Sequence, residues 1–496
     1  METKVNLQEI IDNRISKLNE IREKGIDPFP HNFKTTHSIS DVLKNKDSLF
    51  NHTISVVGRI ISQRKMGKAC FLNIVNEYNK IQLYVKNINI PEDIYDSVVR
   101  KLDIGDFIGI KGELFYTKTN ELSIKVEDLT LLAKSIRPLP NLKEKDGKTF
   151  FAFDDKELRY RNRHLDLITN ENVSKIFIMR AKIISKIRSY LDDLGYLEVE
   201  TPILQPIYGG ANARPFKTFH NTLEQNLYLR IADELYLKRL VIGGINKVYE
   251  ISKNFRNEGM DKNHNPEFTM LEFYCAYADV YDMLELTEKM IRKTFIYLKE
   301  IFTDYNVNID FMKKFEVYSF FDKLKEEAGV DFKKIEKEKL YDLLMKNKVS
   351  VDKKMNYGKL LDKAFSFFVE PKLINPTFIV DYPLAISPLA KRKRNSKDNI
   401  VERFELFVSG MEIANSFSEL NDPQDQAERM NEQNKLRELG DEEAQTIDYN
   451  FLNAMECGMP PCGGVGIGID RLVMLLTSQV SIKDVILFPA MRNIKD

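Results

Sequence analysis

Net charge is missing from this chain: its 74 lysines and arginines are matched by 74 aspartates and glutamates. No global field therefore draws it to nucleic acid or membrane, and any polyanion site must be a local cluster. Cysteine is scarce, with only Cys70, Cys275, Cys457 and Cys462 among 496 residues. Just the last two lie close and no second pair accompanies them, which excludes a paired-cysteine zinc site and leaves no disulfide framework. Tryptophan is absent altogether, which by itself excludes nothing. No apolar run reaches membrane-spanning length, and the opening METKVNLQEIIDNR mixes both charges where a signal peptide has an apolar core. The expectation is a reduced, cytoplasmic protein. No internal repeat is present.

What is there fits a globular protein, with 43% hydrophobic and 30% charged residues, and a chain too long for one core. Residues 1–50 read as an N-terminal helical extension, with Leu7, Ile10, Ile11, Ile15, Leu18 and Ile21 at helical spacing and Gly25, Pro28 and Pro30 as the stop. Over 51–136 the period becomes that of strands. Three strands, a helix candidate PEDIYDSVVRKL and two more strands follow the order of a five-stranded OB barrel. RPLPNLKEKDGK marks a linker at 137–150. In the remainder, 151–496, helices and strands of unequal length alternate irregularly, which predicts an α+β domain with a Lys-rich, mostly helical insertion near 312–369.

One stretch, FRNEGMDKNHNPEFTMLEFY at 255–274, sets Arg256, Glu258, His264, Glu267 and Glu272 among four aromatic rings. It reads as strand, loop and strand, with the loop spanning the glycine and His264. GGVGIGID at 463–470 is not a dinucleotide fingerprint, because its last glycine falls one place early. Its glycines serve either a strand packed under a helix or a backbone brought close to something flat, just before Arg471. GGANARPF at 209–216 is either a plain turn or a close approach to a small ligand. Glu412 and Glu419, with Asn415 and Asn421 nearby, make either a solvated strand end or a pair suited to Mg²⁺, a hard cation that leaves most of its ligands to water and phosphate. His264 has no second histidine at metal-ligand spacing. KRKR at 391–394 reads as a solvated loop. In the barrel, Arg59, Arg64, Lys65 and Lys68 lie in a stretch free of acids, and Phe71 is either core or a ring that stacks on an unpaired base.

In order along the chain, IISKIRSYLDDLGYLEVETPIL, FRNEG through EFTMLEFY, and GVGIGIDRLVMLL resemble motifs 1, 2 and 3 of class II aminoacyl-tRNA synthetases, and within that class the lysyl-tRNA synthetases. The likeness runs from the first helix to the last residues. It implies a seven-stranded antiparallel catalytic sheet flanked by helices and a homodimer joined through the motif 1 unit around Pro202. It also implies a reaction of L-lysine with ATP to lysyl-adenylate and pyrophosphate, then transfer to the 3′ end of tRNA(Lys). By the same resemblance Arg256 holds the α-phosphate and the lysine carboxylate, with Arg471 as the second catalytic arginine. His264 reaches the outer phosphates, Phe268 and Arg471 sandwich the adenine, and Glu258 lies in the ATP site. Glu412 and Glu419 match magnesium ligands. Glu234 matches the binder of the α-ammonium, and Glu272 and Tyr274 match the pair facing the side-chain ammonium. Asn421 lines the same pocket, with Gly210 and Gly466 packed against the substrate. Phe71, Arg64 and Gln82 match anticodon-binding positions.

Two departures stand out: Asp233 occupies a place where the family commonly has proline, and Tyr208 replaces the proline usual before the double glycine. Three rivals compete with this reading. A paralogue that attaches lysine to protein typically lacks the barrel, and a silent RNA-binding protein has no need of Arg256, Glu272, Glu412, Glu419 and Arg471 together. An aspartate or asparagine enzyme would need an arginine where the pocket acids stand.

Overall fold

The computed structural model describes residues 7–66, 69–140, 142–145, 148–151, 153–353, 355–438 and 446–493. Lys68, the first six residues and parts of the 137–150 linker lie outside the described residues. The chain divides into two compact units, Met1–Glu171 and Asn172–Asp496.

In the first unit, helix α1 (Leu7–Glu23) buries Leu18 and Ile21 but leaves Leu7 and Ile15 exposed. Its buried Arg14 donates to the carbonyls of Ile104, Ser135 and Arg137 at 3.1, 2.8 and 3.3 Å, so one guanidinium satisfies three loop carbonyls. Strands β1 (Thr53–Met66), β2 (Ala69–Asn76), β3 (Asn79–Lys86), β4 (Phe107–Tyr116) and β5 (Leu122–Ala133) close into a barrel in the order β1-β2-β3-β5-β4. The expected helix, Glu92–Ser97, sits between β3 and β4. Strand alternation sends Cys70, Leu72 and Ile74 inward and leaves Phe71 and Asn73 half-buried on the outer side.

The second unit is built on an eight-stranded sheet rather than the seven strands the resemblance implied. Its members are β6 (Leu197–Glu198), β7 (Lys247–Phe255), β8 (Glu267–Ala276), β9 (Glu316–Ser319), β10 (Thr377–Pro383), β11 (Ile400–Val408), β12 (Met411–Ser418) and β13 (Cys462–Gly468). They lie in the order β9-β10-β11-β12-β13-β8-β7-β6. The six middle strands are antiparallel, while the short edge strands β6 and β9 join in parallel. Helices α2 (Glu171–Asp193) and α4 (Val280–Ile301) cover one face, packing Ile183, Ile187, Met283 and Phe295 against Phe273 and Ile467. The inserted helices Phe320–Ala328, Lys337–Lys346 and Tyr357–Phe368 share a separate core with Tyr382 and Phe407 of the sheet.

The KRKR run is, as expected, a largely exposed loop, but its charges are paired. Lys393 pairs with Asp381 at 2.5 Å, Arg394 with Glu402 and Asp279 at 2.5 and 2.8 Å, and Lys391 donates to Asn421 at 2.7 Å. Acids from other segments, invisible in the run itself, fix it in place.

Candidate active site

The period of two along β8 sends Leu271 and Phe273 to the helices and turns Phe268, Met270, Glu272 and Tyr274 to the other face. There they line a cavity of about 390 Å³ that also receives Gly210, Glu234, Arg256, Glu258, His264, Glu412, Glu419, Gly466 and Arg471. Residues from 210 to 471 thus meet in one place. Asn421 is not among the lining residues: its Oδ1 accepts from Lys391 and its Nδ2 donates to the Met459 carbonyl at 3.1 Å.

One end of the cavity is basic. The Arg471 guanidinium donates to the Glu412 carbonyl at 2.8 Å and to His264 Nε2 at 3.0 Å. A guanidinium cannot accept, so Nε2 is the acceptor and Nδ1 carries the proton, donating to Asp261 at 2.9 Å. Arg256 lies over the ring of Phe268 at 5.1 Å, and its buried Nε has no protein partner. Burial pulls the Arg256 pKa down while Glu258 and Glu412 oppose that pull. A dry cation with a free donor is a site for an anion. The expected adenine sandwich involves Phe268 and Arg471, yet the cation stacked on Phe268 here is Arg256.

The other end is acidic. Glu272 and Tyr274 are buried, and the tyrosine hydroxyl donates to the Glu272 carboxylate at 3.1 Å. Burial drives the Glu272 pKa well above its ordinary value, with Asp233 and Glu234 adding repulsion. Helix α3 (Glu234–Ile242) opens on Glu234, and one turn later Lys238 reaches back to it at 2.5 Å while also pairing with Glu419. Lys238 is 1% exposed, so the ammonium is a built-in counter-ion rather than a surface charge. Burial also pushes Glu419 up, to about 8, and leaves its Oε1 without a hydrogen-bond donor. Glu419 is therefore no solvated strand end. Gly210 adopts a φ of +85° and passes so close to Glu234 that a side chain there would lie 3.0 Å from its Cβ. A Cβ on Gly464 would strike both the Tyr274 ring and the Glu419 carboxylate, which explains the glycine-rich strand as backbone laid against a flat ring.

Sequence reasoning missed five contributors, Lys238, Arg403, Arg180, Thr269 and Asp470. Lys238 was signalled by its i,i+4 spacing from Glu234. Arg403 lines the cavity and positions Asn415 by a 3.1 Å bond. Arg180 on α2 pairs with Asp470 at 2.6 Å and donates to Thr269 at 3.1 Å, while the Thr269 amide donates to Asp470 at 2.7 Å. This network ties helix α2, at a point just ahead of the motif 1 segment, to the motif 2 and motif 3 segments. No local spacing announces it.

On the barrel, Arg64 lies opposite Phe71 in register, and Phe71 opposite Tyr84. The Phe71 and Tyr84 rings are 5.1 Å apart and Tyr84 is 5.8 Å from Phe115, which makes an aromatic row on the outer side. Phe71 is thus outside the core. Gln82 is engaged within the barrel, donating to Glu121 and accepting from Ser123, both at 2.9 Å.

Comparison with known proteins matches residues 155–492 to the class II tRNA synthetase family (D, K and N) and residues 54–132 to the OB-fold nucleic acid binding domain of the anticodon-binding type. The lysine–tRNA ligase of Carboxydothermus hydrogenoformans is 47% identical over 98% of both chains. Lysine–tRNA ligase 2 of Methanosarcina acetivorans is 48% identical over 97% of this chain and 94% of its own. The lysine–tRNA ligase of Porphyromonas gingivalis is 46% identical over 98% of this chain and 85% of its own.

Proposed function

Because the chain belongs to the class II tRNA synthetases of the D, K and N group and acts as a lysine–tRNA ligase, we propose that the cavity takes ATP at its basic end and lysine at its acidic end. The observation that carries this reading is Arg256. Its Nε, without a partner among the described residues, belongs to a cavity that Glu412, Arg471 and Glu272 also line. A planar guanidinium there bridges the α-phosphate and the lysine carboxylate. The carboxylate is itself the nucleophile and pyrophosphate the leaving group, so alignment and charge stabilisation are the main demands on the protein. His264, already joined to Arg471, meets the outer phosphates, and Phe268 and Arg471 hold the adenine, with Glu258 at the edge of the ATP site.

Lysine brings two ammonium groups into a dry pocket, and each needs an anion. Glu234 serves the α-ammonium, and Glu272 with the Tyr274 hydroxyl serves the side chain, while Gly210 and Gly466 keep the backbone close. Asn421 joins this set only if its bonds to Lys391 and Met459 are exchanged. The donor set also suits Mg²⁺: Glu412 is partly exposed and Glu419 Oε1 lacks a donor, while the described residues hold no group of three ligands for a metal. Such a pair suits an ion that takes its remaining oxygens from phosphates, where it would offset their charge.

Transfer to tRNA(Lys) follows, with the anticodon read by Phe71 and its aromatic neighbours, assisted by Arg64 and Gln82. A homodimer through the segment around Pro202 is supported by the exposed Leu197, Ile203 and Leu204, which are 53%, 44% and 47% accessible. Among the described residues no helix is long and apolar enough to cross a membrane, and we assign the enzyme to the cytoplasm.

The test is lysine-dependent ATP–pyrophosphate exchange with Glu272→Gln. Loss of a charged hydrogen bond of about 2–3 kcal/mol predicts a lysine KM raised roughly 30- to 150-fold with the ATP KM unchanged. An unaltered lysine KM, or exchange driven by aspartate, would overturn the assignment.

A further inference from the structure

Asp233, just ahead of α3, is fully buried, and Glu272 nearly so. The Asp233 carboxyl group neighbours that of Glu272 closely enough for each to shift the other's titration. The outer contacts of the pair are neutral donors: Asn254 gives to Asp233 Oδ1 at 3.2 Å, and Tyr274 gives to Glu272 Oε2 at 3.1 Å. Asp233 Oδ2 receives no donor from any other side chain. Two carboxylates cannot hydrogen-bond to each other without a proton.

The surrounding charges give both groups no means to ionise together. From β7, Glu250 stands opposite Glu272 in register and adds negative charge. The nearest cation, Arg230, is engaged by Glu250 at 2.7 Å. On α3 the ammonium of Lys238 is shared by Glu234 and by Glu419 from the end of β12. The Arg256 guanidinium is influenced by Glu258 and Glu412 more than by Glu272.

We propose that Asp233 and Glu272 hold one proton between them in the free enzyme, and that the side-chain ammonium of lysine displaces it to solvent on binding. This rests on the assignment of Glu272 to the lysine side chain. Asp233 is a positioning residue, acting on substrate through Glu272. Protons balance: lysine enters as the ammonium ion, both carboxyls become carboxylates, and one proton leaves. In agreement, burial raises Asp233 to about 6, and burial with the Asp233 charge beside it holds Glu272 well above its usual range. The sign follows. The pair binds more protons free than lysine-bound, so lysine affinity rises with pH until the free pair has ionised, by up to tenfold per unit.

Calorimetry of lysine binding to the full-length enzyme at pH 7, in buffers of different ionisation enthalpy, counts the protons released. Wild type should release close to one proton per lysine. Asp233→Asn, which donates to Glu272 rather than sharing a proton with it, should release far less and show a flattened pH profile of lysine KM, with ATP KM unchanged. Wild-type heats independent of buffer would overturn the inference without any variant, and so would undiminished release by Asp233→Asn. Glu272→Gln separates the two levels. Normal lysine binding by that variant removes the underlying assignment, whereas weakened binding beside a wild type that releases no proton removes only the shared proton.

Discussion

Gly464 shows how much a single position can carry. No side chain fits between the Tyr274 ring and the Glu419 carboxylate, both of which crowd the space a Cβ would occupy. Gly464→Ala must push the ring or the acid out of place, at a cost of about 1–3 kcal/mol. The expected outcome is a folded enzyme whose lysine KM rises about 5- to 150-fold, read by pyrophosphate exchange, with the ATP KM little changed. The sequence displayed the glycines and left two readings open, a packed strand or close approach to something flat. The flat object is Tyr274, about 190 positions earlier, so no pattern within the run could name it. Lys238 is the opposite case, because its distance of four from Glu234 was on view. That it is buried with a second acid, Glu419, depends on where β12 ends in space.

At the scale of elements, strand β8 and the loop that joins it to β7 bring Arg256, Glu258, His264, Phe268, Glu272 and Tyr274 to the cavity, alternation along β8 turning the last three to one face. This was legible: strand, loop and strand were expected from FRNEGMDKNHNPEFTMLEFY, and β7, the loop and β8 follow that plan. What joins this hairpin to α2 and to the helix Ile469–Leu476 was not legible. Arg180, Thr269 and Asp470 are far apart in the chain and individually ordinary, yet they form one closed network. Asp470 is the immediate neighbour of Arg471, so the network sets the arginine's placement. Asp470→Asn and Arg180→Met should each lower the exchange rate, by roughly a hundredfold if Arg471 is misplaced by about 1 Å. Their double-mutant cycle should be non-additive by about 0.5–3 kcal/mol. Strictly additive losses would mean that the two residues act independently.

For the whole molecule, the two units divide the work, and the barrel's share can be measured apart from the chemistry. Phe71, Tyr84 and Phe115 form a half-buried aromatic row on the barrel's outer side, where stacking contributes about 1–3 kcal/mol per base. Phe71→Ala should therefore raise the KM for tRNA about 5- to 150-fold in charging assays and leave lysine-dependent pyrophosphate exchange intact. Equal loss in both assays would place Phe71 in barrel stability instead. The core itself is elsewhere, in Leu72, Ile74, Leu83 and Ile110.

The sequence by itself determined the order of elements in the barrel and the hairpin at 255–274, because periodicity and turn residues act over a few positions, whereas the roles of the site residues came only from the resemblance to a family. Tertiary structure alone decided the charge states. Whether Glu272 is a carboxylate or half of a proton-sharing pair depends on its burial and on Asp233, Glu250 and Arg230 arriving from other segments. It also decided that the sheet has eight strands, since four-residue β9 carries too little pattern to declare itself before a neighbour supplies its hydrogen bonds. Local sequence sets which face a side chain occupies, but desolvation and long-range neighbours set what that side chain can do.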